Sequence, residues 1–202
     1  MDNVRKKSKR FIEVETAVID YFRIIHKYIS PDSTTYRFFI HHSVLVTEKA
    51  LRAGRRVGLN QTQLDFIEEA GMLHDIGIVR VRAEEIGCYG NKPYICHGVE
   101  GSMLLGDEGL EKHALVSESH VGVGITKEEV VVKQFPLPAR DMVPLSIEER
   151  ILCWADLFFS KSSHKLWIEK TTDDVLERVR RYGDRQAKTF LAWQEEFGEQ
   201  DS

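Results

Sequence analysis

The sequence predicts an all-α protein built as a helical bundle. Apolar residues recur at three- and four-residue spacing along most of its 202 residues, which is the period of an amphipathic helix. Helix-capping residues precede several of these segments, and glycine or proline follows them. A hydrophobic fraction of 42% is enough to fill a core. Together these observations favour helices packed on one another over a sheet-based fold.

Two helices and the start of a third are predicted at the beginning of the chain. The first covers residues 11–30 and ends at Pro31, because proline disrupts a helix. The second begins in the capping-rich run at residues 32–35 and stops at Gly58. Asn60 is then expected to cap the third helix.

The middle of the chain is predicted to combine loops with short helices. Residues 77–91 form a loop, and short helices follow at about 98–105 and 110–120. Residues 121–144 hold three of the five prolines and two glycines. We expect a long ordered loop there, with at most one irregular strand, before the helix that carries the last aspartate.

Two further helices complete the predicted bundle. Ser146 and Glu149 form a capping-box pattern that opens a helix over residues 147–162. This helix is apolar nearly all round, as expected for a helix inside the core. The last predicted helix covers residues 173–197 and is charged except for one apolar stripe.

The length and composition of the chain indicate how many domains it forms and in which compartment it is expected. Residues 1–202 are predicted to form a single domain, with its core at about 33–163 and the helices at 11–30 and 173–197 packed on it. No stretch reaches the roughly 18–20 apolar residues of a membrane span. The three cysteines form no C-x-x-C pair, which is typical of a reducing cytoplasm.

The balance of basic and acidic residues limits which molecules the chain is expected to bind. The chain has 28 basic and 32 acidic residues and a net charge of -4, which argues against binding nucleic acid through a broad basic surface. The basic run at residues 5–10 is interpreted as a solvated end, because no apolar segment of a secretory signal follows it.

Histidines and aspartates fall where the predicted helices should be buried. His42 lies near the apolar face of the second helix, with His41 towards its margin, and His74 continues the buried stripe of the third. Asp75 follows directly, and Asp156 lies within the most apolar helix. Each alone has a structural explanation, such as a hydrogen-bonded core histidine or an aspartate paired with arginine. Because a buried unpaired carboxylate is costly, the four together predict a bound cation.

These residues resemble the H…HD…D signature of the HD-domain metal-dependent phosphohydrolases. The most specific part is Met-Leu-His-Asp-Ile-Gly at residues 72–77, and the resemblance runs from about residue 36 to 160. It implies an HD-domain helical bundle with hydrolase activity on a phosphomonoester or phosphodiester. A nucleotide or another small phosphorylated metabolite would be the substrate. His74 and Asp75 would carry the catalysis.

The resemblance extends to the HD subfamilies that hold two divalent metal ions. It implies six ligands: His42, His74, Asp75, His97, His120 and Asp156. In that pattern Asp75 bridges the two ions, and His97 and His120 serve the second one. His113, which lies seven residues before His120, competes for the sixth place.

The implied ligand set suits hydrolysis of a phosphate ester. Imidazole and carboxylate without thiolate favour Fe, Mn, Co, Ni or Zn. Four histidines and two aspartates have a formal charge of about -2, so two divalent ions leave about +2 for a hydroxide and an anionic substrate. A bound ion also lowers the pKa of water from about 15.7 to about 7, which supplies hydroxide at neutral pH.

Several side chains near the motifs are candidates for other roles. Arg80 and Arg82 follow the HD pair, and Lys161 follows the last aspartate by five residues, so each is a candidate for binding substrate phosphate. A solvated surface charge is the alternative for all three. Glu118 is a weaker candidate for a proton shuttle, and Cys96 is interpreted as a small core residue.

Two alternative functions stay open at this point. A mixed-valence di-iron oxygenase of the HD type resembles this chain in its ligand set, and a metal-stabilised regulatory module would need no catalysis. The HD-GYP phosphodiesterases have a lysine after the HDIG motif and a Gly-Tyr-Pro element. Position 78 is isoleucine here and no Gly-Tyr-Pro occurs, so cyclic di-GMP hydrolysis is not predicted. The oligomeric state is left open.

Overall fold

The computed structural model describes residues 18–161 and 166–199. These residues form nine α-helices and one small antiparallel hairpin, which confirms the all-α prediction. The helices are α1 (Tyr21–Tyr28), α2 (Thr34–Arg56), α3 (Gln61–Leu73), α4 (His97–Asp107), α5 (Glu111–Ser119), α6 (Lys127–Val132), α7 (Ile147–Asp156), α8 (Thr172–Arg180) and α9 (Asp184–Phe197). The hairpin pairs β1 (Arg82–Ala83) with β2 (Cys88–Tyr89). None of the helices in the described ranges combines the length and hydropathy of a membrane span.

The longer helices begin where their capping residues predict. Ser33 caps α2, and Asn60 and Gln63 form a reciprocal capping box at the start of α3. Ser146 caps α7 by accepting a hydrogen bond from the backbone N–H of Glu149. Each cap satisfies a backbone donor that the first turn leaves unpaired, so these side chains fix where the helices start.

The core is built around α7. This helix packs against α2, α3, α5 and α9, and its residues Ile151, Leu152 and Trp154 are at most 1% exposed. A second apolar cluster joins α1, α4 and the 3-10 turn Ile76–Arg80. Because α2 and α3 contribute to both clusters, the two helices that carry the HD-type motifs are held on both sides.

Gly77 lies where two backbone segments touch. A Cβ atom at this position would lie 2.0 Å from the carbonyl oxygen of His97 and 2.3 Å from the backbone nitrogen of Gly101. Only glycine therefore lets the turn after Asp75 approach α4 this closely. The contact sets the distance between Asp75 and His97, which belong to different predicted motifs.

The first helix is shorter than predicted. It begins after Asp20, whose side chain caps it, and residues 11–17 of the predicted helix lie outside the described residues. Val18 and Phe22 lie at helical spacing in the predicted segment but are exposed, and the segment reaches the core only further along, at Ile25. The basic run at residues 5–10 also lies outside the described residues.

The predicted loop at residues 121–144 contains a helix, α6, that the periodicity did not indicate. Thr126 and Glu129 form a reciprocal capping box at its start. The expected irregular strand corresponds to a single antiparallel bridge between Ile125 and Met142.

The C-terminal helices are shorter than predicted. The helix expected over residues 147–162 ends at Asp156, and the one expected over residues 173–197 is divided into α8 and α9. Gly183 stands between these two with a φ of 140°, a conformation that a residue with a side chain rarely adopts. One continuous helix through this position was therefore a wrong prediction.

We expect Gly77→Ala to lower the free energy of unfolding by about 1–3 kcal/mol, because α4 must move to admit the methyl group. Urea denaturation followed by circular dichroism measures this change. The control is Gly106→Ala in α4, where an added Cβ meets no atom within 4 Å and should stabilise the helix by up to about 1 kcal/mol. Equal stability of the two variants would contradict the close approach.

Candidate metal centre

Six histidine and aspartate side chains converge at one place in the fold. They are His42 in α2, His74 and Asp75 directly after α3, His97 at the start of α4, His120 directly after α5 and Asp156 at the end of α7. Five of these six lie at a helix end, where side chains from differently directed helices can meet. The structure therefore brings all six predicted ligands together, in two groups that share Asp75.

The first group contains His42, His74, Asp75 and Asp156. The Nε2 atom of His42 lies 3.0 Å from Asp75 Oδ2 and 2.9 Å from Asp156 Oδ1. The Nε2 atom of His74 lies 3.1 Å from Asp75 Oδ2 and 3.8 Å from Asp156 Oδ1. The two imidazole nitrogens are 3.3 Å apart.

The second group contains Asp75, His97 and His120. The Nε2 atoms of the two histidines lie 3.4 Å and 3.3 Å from Asp75 Oδ1 and 3.1 Å from each other. Each oxygen of Asp75 thus faces a different pair of imidazoles. This is the geometry expected of a carboxylate that bridges two ions.

Backbone carbonyls orient three of the four imidazoles. The Nδ1 atoms of His74, His97 and His120 lie 2.6, 2.7 and 2.7 Å from the carbonyl oxygens of Gly71, Tyr94 and Ser117. A carbonyl oxygen only accepts, so each Nδ1 carries a proton and donates. In each of these rings Nε2 is the nitrogen that faces the shared carboxylate, and it can bind an ion when it carries no proton.

The spacing of the donor atoms fits divalent ions. Two ligand atoms bound about 2.0–2.1 Å from one ion, at angles between octahedral and tetrahedral, lie about 2.8–3.4 Å apart. The donor separations in the second group, 3.1, 3.3 and 3.4 Å, match this spacing.

The electrostatics of the buried ligands also favours a cation. Both oxygens of Asp75 are buried without a hydrogen bond of good geometry from the described residues. Burial opposes ionisation of Asp75, but Lys161 and His74 outweigh it and hold its pKa well below the usual range. Burial likewise opposes protonation of His74, but Asp75 and Asp156 raise its pKa to about 9. Burial lowers the pKa of His97 to about 3, which keeps this ring neutral.

Comparison with known families decides where this arrangement belongs. The sequence model of the HD domain matches residues 39–159, which include all six converging side chains. The chain belongs to the HD-domain family. The matched range therefore contains the His74-Asp75 pair and the four other converging residues.

Three proteins are similar to this HD domain in sequence. An uncharacterized protein of Methanocaldococcus jannaschii is 32% identical over 143 residues, which are 69% of this chain and 73% of the relative. A tRNA (cytidine(56)-2'-O)-methyltransferase of Thermoplasma volcanium is 28% identical over 175 residues, 86% of this chain. A methyltransferase of the same name from Picrophilus torridus is 32% identical over 92 residues. The chain spans 44% and 23% of the length of these two methyltransferases.

A solved structure shares the fold. The HD domain of the L. monocytogenes phosphodiesterase PgpH, in complex with cyclic-di-AMP, superposes with a TM-score of 0.50 at 14% sequence identity. The match covers 87% of this chain and 94% of that one. It shows that the helical arrangement of this HD domain is also found in a known structure.

Lys161 is the one predicted phosphate-binding cation that reaches the metal centre of this HD domain. Its Nζ atom lies 2.5 Å from Asp75 Oδ2, and its side chain is 11% exposed. Arg80 and Arg82 are exposed and do not line the cavity beside the ligands. The structure therefore does not bring these two arginines to the site.

A cavity of about 450 Å³ adjoins the metal centre. His97, Asp156 and Lys161 form part of its wall, and the Asp156 side chain keeps an exposed fraction of 17%. A small molecule in this cavity would meet the ligand groups directly. This volume lies within the range of about 300–1,000 Å³ that is usual for small-molecule sites.

Other histidines and acids that the sequence offered lie elsewhere. His113 is buried next to Glu69, with its Nε2 atom 3.2 Å from Glu69 Oε2, so it does not take the sixth place. His41 lies with its Nδ1 atom 2.6 Å from the Arg37 carbonyl oxygen, outside the cluster.

Glu118 and Cys96 also lie away from the metal ligands. Glu118 pairs with Arg140 and does not line the cavity. Cys96 is a buried core residue whose Sγ atom lies 3.4 Å from the Pro136 carbonyl oxygen, as the sequence predicts for a core position.

The structure adds cavity residues that the sequence did not indicate. Arg178 and Tyr182 come from α8 and the turn after it, Lys133 follows α6, and Tyr94 precedes α4. Of these, Tyr94 packs its ring against His97 with centroids 4.7 Å apart. Their charged and aromatic side chains resemble those of ordinary surface residues in the sequence, so no local signal marks them.

We expect replacement of the ligands to lower metal content group by group. His97→Ala should reduce two bound ions per chain to one, and Asp75→Ala should remove both, because Asp75 belongs to both groups. Elemental analysis after dialysis measures the content. The control is His113→Ala, which replaces a buried histidine outside the cluster and should leave the metal content unchanged. Circular dichroism verifies that each variant is folded. Unchanged metal content in His97→Ala would contradict the second group.

Proposed function

We propose that this HD domain is a metal-dependent phosphohydrolase that acts on a phosphomonoester or phosphodiester of a nucleotide or another small metabolite. The observation that carries the proposal is the pair of ligand groups sharing Asp75, directly beside a cavity lined by Lys161. Two divalent ions, of Fe, Mn, Co, Ni or Zn, fit these groups in donor type and spacing.

Divalent ions bound there would lower the pKa of water to about 7 and offset the charge of a phosphate ester. The six ligands carry about two formal negative charges, and two divalent ions would bring four positive charges. The surplus of about two positive charges would attract an anionic substrate. Asp75 holds the two groups at a fixed separation, and His74 keeps its orientation through the Gly71 carbonyl. Lys161 supplies a further positive charge next to Asp75, where it can bind a phosphate oxygen.

The cavity supports a catalytic role over a closed regulatory module. A purely structural metal site would be enclosed by its ligands, whereas Asp156 and His97 border a space that can hold a small molecule. The cations around this space suit an anionic substrate, which favours phosphate chemistry over oxidation of a neutral compound. The ligand set itself is common to both chemistries.

We further propose that residues 1–202 form a single domain. The family match ends at residue 159, yet α8 lies beyond it and contributes Arg178 to the cavity wall. The α9 helix packs on α7 and on α2. The C-terminal helices are therefore expected to be necessary for the site, not an attachment to it.

We expect the purified protein to contain one of these metals and to release phosphate or alcohol from some members of a phosphoester panel. The panel holds p-nitrophenyl phosphate, bis(p-nitrophenyl) phosphate, nucleoside monophosphates and cyclic-di-AMP, and each is assayed with the metal found. Asp75→Ala should lose metal and activity together. Full activity in a metal-free variant would refute the mechanism, and oxygen consumption by a coloured di-iron protein without phosphoester cleavage would establish the oxygenase instead.

We expect Lys161→Met to lower kcat/KM about 10–100-fold, because it removes a charged hydrogen bond to the substrate phosphate. The ion content should stay at two per chain, since Lys161 is not a ligand. Lys188→Met, an exposed lysine of α9, is the matched control and should behave as the unmodified protein. Wild-type kinetics in Lys161→Met would show that this lysine does not contact the phosphate.

A further inference from the structure

Two cations line the cavity without a part in the proposed reaction. Arg178 comes from α8, and Lys133 follows α6. Arg178 Nη2 donates to the Leu157 carbonyl oxygen at 2.9 Å, and Lys133 Nζ donates to the Tyr182 carbonyl oxygen at 3.1 Å. Within residues 18–161 and 166–199, neither forms an ion pair with a carboxylate.

Glu129, which lines the cavity in addition to the ligand Asp156, is already neutralised. Glu129 Oε2 accepts hydrogen bonds from Arg185 at 2.6 Å and from the Thr126 backbone N–H at 2.9 Å. Gln186 donates to its other oxygen. Glu129 therefore cannot balance the charges of Arg178 and Lys133, and the cavity keeps an excess of positive charge away from the ligand histidines.

Both cations line the same cavity as the ligands His97 and Asp156. Arg178 donates to the carbonyl oxygen of Leu157, the residue that follows Asp156 in the chain. Lys133 is bonded to Tyr182, about one helical turn beyond Arg178 in the chain. A guanidinium has five N–H donors, and the contact with Leu157 uses one of its nitrogens, so donors are left for a ligand.

We propose that the substrate carries a second anionic group, a phosphate or a carboxylate, which Arg178 and Lys133 bind while the reacting phosphate lies at the metal ligands and Lys161. This inference rests on the proposed phosphohydrolase function. Arg178 is half-buried in the cavity wall without a carboxylate partner among the described residues, so an anion there would compensate its charge. Lys133 is exposed and adds a second positive charge to the same cavity. The substrate class is a small metabolite with two anionic groups.

Two matched pairs of compounds test this inference in Mn²⁺-loaded protein. Fructose 1,6-bisphosphate against fructose 6-phosphate tests a phosphate as the second anionic group, and 3-phosphoglycerate against glycerol 3-phosphate tests a carboxylate in that role. Affinity is measured by calorimetric titration, and turnover is measured separately by phosphate release. The unmodified protein should bind the double anion of at least one pair about 10–100-fold more tightly than its single-anion partner.

Arg178→Met and Lys133→Met should each reduce that preference by about tenfold or more, and Arg178→Lys should restore part of it. Arg180→Met is the matched control, because this exposed arginine of α8 does not line the cavity. It should keep the preference of the unmodified protein. Circular dichroism shows whether each variant is folded.

The outcomes separate this inference from the proposed function. Suppose that phosphate is released, but Arg178→Met lowers the affinity for both members of a pair by the same factor. The second-anion site is then refuted, and the proposed hydrolase function is retained. Equal affinity of the unmodified protein for both members of each pair also refutes it. If no compound is hydrolysed but the calorimetric preference depends on Arg178 and Lys133, the second-anion site stands and the proposed hydrolysis falls.

Discussion

Asp75 is a fully buried carboxylate, and all four converging histidines place an Nε2 atom within 3.4 Å of it. A buried charge of this kind costs several kcal/mol unless opposite charge and hydrogen bonds compensate it. Helices α2, α3, α4 and α5 all end or pass beside this one side chain. The arrangement of the bundle around the site is therefore governed by the need to surround one negative charge with donors and cations.

Much of this centre could be predicted from the sequence because its ligands break the local pattern. His42 and His74 stand on apolar helix faces, and Asp156 stands in the most hydrophobic helix, so each conflicts with its surroundings. Arg178 and Lys133 produce no such conflict, since a cation in a charged helix is ordinary. Their place on the cavity wall depends on how α6 and α8 pack, which local periodicity does not report.

The fold shows the same division between local and tertiary information. The starts of α2, α3 and α7 follow from caps that act within one turn, and these were predicted correctly. The short helix α6 was missed, although Thr126 and Glu129 carry a capping box, because six residues are too few for a periodic pattern. The break at Gly183 depends on a backbone conformation, and a single glycine within a charged segment does not reveal it.

The shared carboxylate has a thermodynamic consequence for how the two ligand groups fill. An ion in one group would orient Asp75 for the other and also repel the second ion, so the two binding events cannot be independent. Their coupling free energy is reciprocal: the factor by which either ion changes the affinity for its neighbour is the same in both directions. If two ions bind, a titration of this centre would report a cooperative pair of equilibria, whose dissociation constants belong to the assembly instead of to separate sites.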